Sequence, residues 1–396
     1  MRSKPALRPA RPYFSSGPCA KPPDWSVDWL RSARLGRYHR SAAAKARIVE
    51  ALDRTRAVLG IPDEFRIVIL PGSDTGAVEA ALWNLLGARG VDILSWDSFG
   101  AAWAHDVENE LALKDVRHFK ADYGEAPDFG AVDWARDVVF VWNGTTSGVR
   151  VPDADWIAED REGLAICDAT SAAFAMALDW SKLDVATFSW QKSLGGEAGF
   201  GVAVLSPRAI ARLKAHKPAW PIPKLFRWRK GGGFDESLAQ GGAINTLSLL
   251  AIEDYLAALK WAARAGGLGE LVRRSETSAA ALWRWLDGAD WAANLCAEPA
   301  FRSTTSVCLR FVAPDIAARS ADAQRALAAE MARLLEQEEA AFDILGYRAA
   351  PPGLRIWCGP TVAPRDVEAL TPWLDWAYAA ALKKQAGAGS GAGAGA

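Results

Sequence analysis

Four short stretches of this chain carry side chains able to do chemistry, and each follows directly on a run of β-branched and apolar residues. Trp190-Gln191-Lys192-Ser193-Leu194-Gly195-Gly196 follows Val185–Ser189 (VATFS). A lysine directly after a buried strand and just before two glycines is hard to read as a solvated surface charge. Burial lowers the pKa of such an amine and makes it a nucleophile. Asp168 follows Leu164–Cys167 (LAIC). A carboxylate at the end of a buried strand is costly unless paired, so Asp168 reads either as a helix cap or as the partner of a cationic ring nitrogen. Gly72-Ser73-Asp74-Thr75-Gly76 follows Arg66–Leu70 (RIVIL) and opens the helix-like AVEAALWNLL. Small residues at a helix N-terminus let backbone N–H groups approach an anion; the plain alternative is a helix capped by Asp74. Asn143-Gly144-Thr145-Thr146-Ser147-Gly148 follows Val138–Trp142 (VVFVW), and on its own reads as a polar turn.

No single motif of the four is specific, but their order and spacing are more so. An amine, an acid for a pyridinium, an anion cradle and a polar turn make the inventory of a pyridoxal-phosphate (PLP) site. The elements that position them alternate. Asp92–Trp96 and Gly201–Leu205 add two more strand-like runs, with enough chain between runs for crossover helices. This predicts an α/β fold with a mostly parallel central sheet covered by helices, in which ligands bind beyond the carboxyl ends of the strands. A long helix is predicted over Ile244–Ala263. Strand-like Ser306–Phe311 and Leu354–Trp357 and helix-like Ala321–Ala341 and Val367–Leu382 then predict a smaller C-terminal α/β domain. The expected organisation is a basic, proline-rich disordered arm over 1–11, a large PLP-binding domain over 12–268 and a small domain over 269–384. A flexible Gly/Ala tail would follow over 385–396.

Composition narrows the function classes. A net charge of −1 does not favour nucleic acid or membrane. No apolar run reaches the roughly 18 residues of a membrane span. Cys19, Cys167, Cys296, Cys308 and Cys358 are scattered without a C-x-x-C pair, and the four histidines have no metal-ligand spacing. A disulfide framework or metal site is therefore not expected, and a reducing, cytoplasmic compartment is. The basic–aromatic stretch Lys224–Lys230 (KLFRWRK) could serve as a nucleic-acid platform, but the balanced charge favours a dimer contact or substrate steering instead. The nineteen tryptophans read as core and interface residues.

The chain resembles the phosphoserine aminotransferases, a branch of the class V aminotransferases with the fold-type-I PLP architecture. The carrying segments are FSSGP (Phe14–Pro18), His39-Arg40, SDTGAVE (Ser73–Glu79), ICDATSA (Ile166–Ala172), TFSWQKSLGGE (Thr187–Glu197) and INT (Ile244–Thr246). By this resemblance Lys192 carries the cofactor as a Schiff base and Asp168 pairs with the pyridinium nitrogen. Asp74, Thr75 and Gln191 sit at the cofactor phosphate, and Thr145 bonds the ring region. Phe99 stacks on the ring, with Trp103 of the same segment as the alternative. Asn245 and Thr246 reach the phosphate of the neighbouring subunit, which implies a homodimer with shared active sites. His39, Arg40, Arg348 and Arg355 anchor substrate, since arginine forks bind carboxylate and phosphate bidentately.

The implied reaction is reversible transamination between L-glutamate and 3-phosphohydroxypyruvate, giving O-phospho-L-serine and 2-oxoglutarate, a step of serine biosynthesis. The family also brings a second activity in pyridoxine (vitamin B6) biosynthesis, which the sequence leaves open. Tyr347 stands where many members have histidine, and Pro351-Pro352-Gly353 looks one residue long for the usual loop. Leu247 replaces a frequent proline, and Gly199-Phe200 also departs from the pattern. These changes bear on substrate preference. The main rival is another class V enzyme, such as an alanine–glyoxylate or serine–pyruvate aminotransferase, which needs no substrate phosphate site. A cysteine desulfurase ranks below it, because no cysteine lies in a Gly/Ser-rich loop.

Overall fold

The computed structural model describes residues 3–391. Seven strands, β1 (Arg66–Pro71), β2 (Val91–Ser95), β3 (Val116–Lys120), β4 (Asp137–Val141), β5 (Ala165–Asp168), β6 (Val185–Ser189) and β7 (Phe200–Leu205), form the central sheet. Their order is β1-β7-β6-β5-β4-β2-β3. The sheet is parallel except for β7, which runs antiparallel to both β1 and β6. Every residue of β2, β4, β5, β6 and β7 is buried, as expected for strands covered on both faces. The edge strand β3 is instead half exposed.

Helices α1 (Ala42–Leu59), α2 (Ser73–Leu85), α3 (Ser98–His105), α4 (Pro207–Ala215) and α5 (Leu249–Ala265) surround this sheet. The expected start of the long helix at Ile244 is corrected to Leu249. The Ser248 hydroxyl accepts from Ala251 N and caps the helix there, leaving 244–247 as a turn. At its other end Gly266 adopts φ +118° and stops the helix.

The chain then enters α6 (Gly267–Leu286), which crosses from one core to the other. Leu271 belongs to the core around the large sheet, and Ala279 to a second core. That second core is built on an antiparallel sheet of β8 (Ala292–Asn294), β9 (Ser306–Phe311) and β10 (Gly353–Trp357). Helices α7 (Ala321–Gln337) and α8 (Pro364–Gly391) cover it. Six tryptophans, Trp96, Trp190, Trp228, Trp291, Trp357 and Trp373, are fully buried across the two cores, so much of the high tryptophan content is packing.

The two ends of the chain depart from expectation. Residues 3–11 are an ordered strap rather than a disordered arm. Trp373 Nε1 donates to Leu7 O at 2.7 Å, and Ala10 N donates to Asp366 Oδ1 at 2.9 Å. The following segment also belongs to the small core: Phe14 is buried there, and Trp357 N donates to its carbonyl. At the C-terminus α8 continues through 391, so the first part of the expected tail is helical. Residues 1–2 and 392–396 lie outside the described residues. Among the described residues no helix is long and apolar enough to cross a membrane, and no cluster of His, Cys, Asp or Glu is arranged to hold a metal ion.

Candidate active site

All four chemistry-bearing stretches meet at the carboxyl-end rim of the large sheet, around one cavity of about 130 Å³. Its walls include Ser73, Asp74, Thr75, Phe99, Trp103, Asn143, Thr145, Asp168, Gln191 and Lys192.

Lys192 owes its place to the turn after β6. The Trp190 ring stacks on Tyr255 at 4.2 Å between centroids, and its indole N–H donates to Glu197 O at 2.7 Å. Gly195 N and Gly196 N bond back to Lys192 O and Trp190 O, closing the turn. Lys192 Nζ donates to Ser16 O at 2.9 Å. Gly17 follows, and a Cβ there would lie 2.5 Å from Lys192 Nζ, so FSSGP needs its glycine for this approach. Burial lowers the Lys192 amine below the ordinary lysine range. The Cys19 thiol pulls upward, the Arg355 charge pushes further down, and Asp168 and Asp74 pull weakly upward. The shift is toward the neutral, nucleophilic amine.

Asp168 ends β5 and is buried. Its Oδ1 accepts from Thr170 N and its Oδ2 from the indole N–H of Trp103, both at 2.9 Å. Asp74 is not the cap of α2. Gly72, at φ +86°, holds that position and accepts from Gly76 N, which makes Asp74 the second helical residue. Its carboxyl is buried among Asp168, Thr170 and Thr187, and neither oxygen has a hydrogen-bond partner among the described residues. Burial and then the Asp168 charge raise it well above the usual carboxylate range. The backbone N–H groups of Asp74 and Thr75 make no bond among the described residues, as expected in a first helical turn. They offer the anion cradle.

The side wall is a hydroxyl and amide network. Thr145 Oγ1 donates to Ser171 Oγ at 2.7 Å, and Asn143 Nδ2 donates to Ser171 Oγ and Thr305 Oγ1. Trp103 is fully buried with its N–H committed to Asp168, while Phe99 is half-buried and faces Tyr347 at 6.0 Å between centroids. Arg355 on β10 lies close enough to perturb Lys192, Cys19 and Cys308, makes no ion pair among the described residues, and leaves its Nε unpartnered. Arg348 is exposed on the loop beside Tyr347.

Arg348 and Arg355 do not line this cavity, and four further expected residues are not brought to it by their own chain. Asn245 and Thr246 stand on the surface turn before α5. His39 is buried against Tyr38 and Arg40 is exposed just before α1. Sequence reasoning missed Trp103 as a hydrogen-bond donor to Asp168, and it missed Ser16, Thr170 and Thr187. Hydroxyls and indoles at these spacings carry no signal until the strands are aligned.

The residues present fit PLP. Unpartnered buried polar atoms gather at the cavity, on Ser16, Asp74, Asn143, Thr170, Ser189 and Gln191, and such atoms are rare in interiors without a ligand. Cys19 and Cys308 are pushed up to about 12 by burial and Cys296 to about 11, so these thiols are inert, unlike the cysteine of a desulfurase.

No protein-family profile matches the chain. The chain is 50% identical to the phosphoserine aminotransferase of Methanosarcina barkeri over 375 residues, 95% of this chain and 99% of the relative. Identity and coverage are the same for that of Methanosarcina mazei. Among solved structures, a phosphoserine aminotransferase from Cytophaga hutchinsonii superposes with a TM-score of 0.78 at 20% identity, covering 92% of this chain and 98% of that one. A pyridoxamine–pyruvate aminotransferase from Mesorhizobium loti gives 0.78 at 21% identity, over 96% and 95%. The distant structures share the fold, and identity at every second position along nearly the whole length goes further: the chain belongs to the phosphoserine aminotransferase family.

Proposed function

We propose that this protein transfers an amino group between L-glutamate and 3-phosphohydroxypyruvate, giving O-phospho-L-serine and 2-oxoglutarate, with PLP as cofactor. The observation that carries it is Lys192 Nζ, an amine biased toward its neutral form, at a cavity that also holds the buried acid Asp168 and the open first turn of α2. The identity to curated phosphoserine aminotransferases supports the substrate pair.

PLP, when bound, supplies an electrophilic aldehyde carbon and a ring that accepts electrons. Lys192 would hold that carbon. Its Nζ would also serve as the base and acid that moves the proton at the substrate Cα. Asp168, fixed by Trp103 and Thr170, would hold the ring N–H. The N–H groups of Asp74 and Thr75, the Thr75 hydroxyl and Gln191 would hold the phosphate at the positive end of α2. Thr145 would face the ring edge. Phe99, free of the bond that ties Trp103, would cover the ring face.

Arg355 would bind the substrate carboxylate, and Arg348 would meet the incoming anions from the loop. Asn245, Thr246, His39 and Arg40 would complete the site of a neighbouring copy. Two observations support this homodimer: those residues stand outside their own cavity, and Val27, Leu35 and Tyr38 beside them are exposed apolar side chains. The five unpaired cysteines suit the cytoplasm.

The test is an absorbance titration of purified protein. Added PLP should give a visible band, and phosphoserine should bleach that band far faster than alanine does. A protein that stays colourless with PLP, or that reacts equally with alanine, overturns the proposal.

A further inference from the structure

Buried carboxylates elsewhere in the fold either pair with cations or, like Asp97 and Asp366, accept backbone N–H groups. Asp92 is held by Arg136 at 2.7 Å, Asp137 by Arg212 at 2.8 Å, Asp184 by Arg161 at 3.0 Å, and Asp254 by Lys21 at 2.8 Å. Asp74 and Asp168 line one cavity. Both are buried, they face one another, and neither makes an ion pair among the described residues. Two adjacent carboxylates out of water and without a cation do not both ionise. Their hydrogen bonds decide which keeps the proton. Asp168 accepts two N–H groups, which stabilise its charged form, whereas Asp74 has no N–H donor and only the hydroxyls of Thr170 and Thr187 beside it.

We propose that Asp74 and Asp168 form a carboxyl pair sharing one proton, carried on Asp74, so that the floor of the site presents a single negative charge to the cofactor ring nitrogen. The proposal rests on the PLP reading for its consequence, though not for its existence. Asp74 is a positioning residue. As a neutral acid beside Asp168 it can donate one hydrogen bond to it, and it spares a cationic ring nitrogen a second charge, which would hold that proton too tightly. The titratable groups facing Asp74 are Asp168 and Cys167 on β5 and Lys192 after β6. None of them is a cation at ion-pair distance from it. The raised carboxyl of Asp74, caused by burial and then by Asp168, agrees with this geometry.

The experiment compares wild-type protein with Asp74→Asn at neutral pH by infrared difference spectroscopy, first without and then with PLP. The wild type should show the carbonyl stretch of a protonated carboxyl in the apoprotein, and Asp74→Asn should lack it. Absence of the band from the wild type, or its survival unchanged in the variant, overturns the proposal.

Denaturant unfolding of the two apoproteins across pH gives a second reading. A carboxyl raised in the folded state stabilises at low pH, and that contribution is lost as pH rises from about 4 toward the folded value. Relative to Asp74→Asn, the wild-type folding equilibrium should therefore weaken by up to about tenfold per pH unit within that window. Parallel pH profiles overturn the proposal. If the variant does not fold, the wild-type band decides alone. A protein that takes no PLP yet shows the band refutes the cofactor reading and leaves the acid pair standing.

Discussion

The indole N–H of Trp103 donates to Asp168 Oδ2 at 2.9 Å, and both residues are buried. An aromatic residue at this edge of the cavity thus holds the acid proposed to face the ring nitrogen. Removing one donor from a charged acceptor costs about 1.5–3 kcal/mol. Trp103→Phe should lower kcat/KM for phosphoserine by about 10–100-fold on that basis. The ratio should be measured together with PLP affinity, which should weaken in parallel. A Trp103→Phe enzyme with wild-type values for both would remove Trp103 from this role.

Lys192→Ala should bind PLP without the visible band of the wild type and should lose about 10³-fold or more in kcat, the usual scale for a positioned acid–base group. Single-turnover kinetics with phosphoserine separate this loss from substrate binding. Recovery of part of the rate with an added small amine would mark the missing group as the amine itself.

Arg355, the proposed carboxylate anchor, is expected to act on the substrate and not on the colour. Arg355→Gln should leave the absorbance of the bound cofactor in place while KM for both glutamate and phosphoserine rises about 10–100-fold, as expected for loss of a charge-assisted bond. A rise confined to phosphoserine would instead place Arg355 at the substrate phosphate.

If sites are shared, two dead variants should rescue one another. Lys192→Ala mixed with the double variant Asn245→Ala and Thr246→Ala gives hybrids with one intact site in two. After denaturation and refolding together, roughly a quarter of wild-type activity should return. No return on mixing, with dimers present by light scattering, means that each subunit completes its own site.

The strap over the small domain predicts a stability effect. Deleting residues 1–11 removes the Leu7–Trp373 and Ala10–Asp366 bonds, at about 1 kcal/mol each. The deletion should lower Tm by several degrees, seen by calorimetry, and a deletion that leaves Tm unchanged would show the strap to be incidental.

Much of the site was legible because chemistry follows strand ends. β6 and β9 coincide with the runs Val185–Ser189 and Ser306–Phe311, and Lys192 and Asp168 come together as their positions after strands required. What escaped depended on contacts distant in sequence or on local geometry that overrides preference. The strap is held by Trp373, more than 350 residues away. Asp74 lost the cap of α2 to Gly72 because only glycine takes φ +86° there without strain. Helix α6 hides behind Gly266-Gly267-Leu268-Gly269, which reads as a linker, and β3 hides because an edge strand keeps polar side chains. The antiparallel turn of β7 follows from the short stretch after Lys192, which leaves no room for a crossover helix.

That reversed strand has a mechanical consequence. β7 starts at the rim beyond which Lys192 lies, and the O of Gly199, the residue just before it, accepts from Gly72 N at 3.1 Å. The amine and the phosphate-side helix are therefore clamped to a common anvil, two strand spacings apart, or roughly 9.6 Å. Neither can swing relative to the other. Arg355 sits instead on the smaller sheet, joined to this anvil through α6, which contributes to both cores.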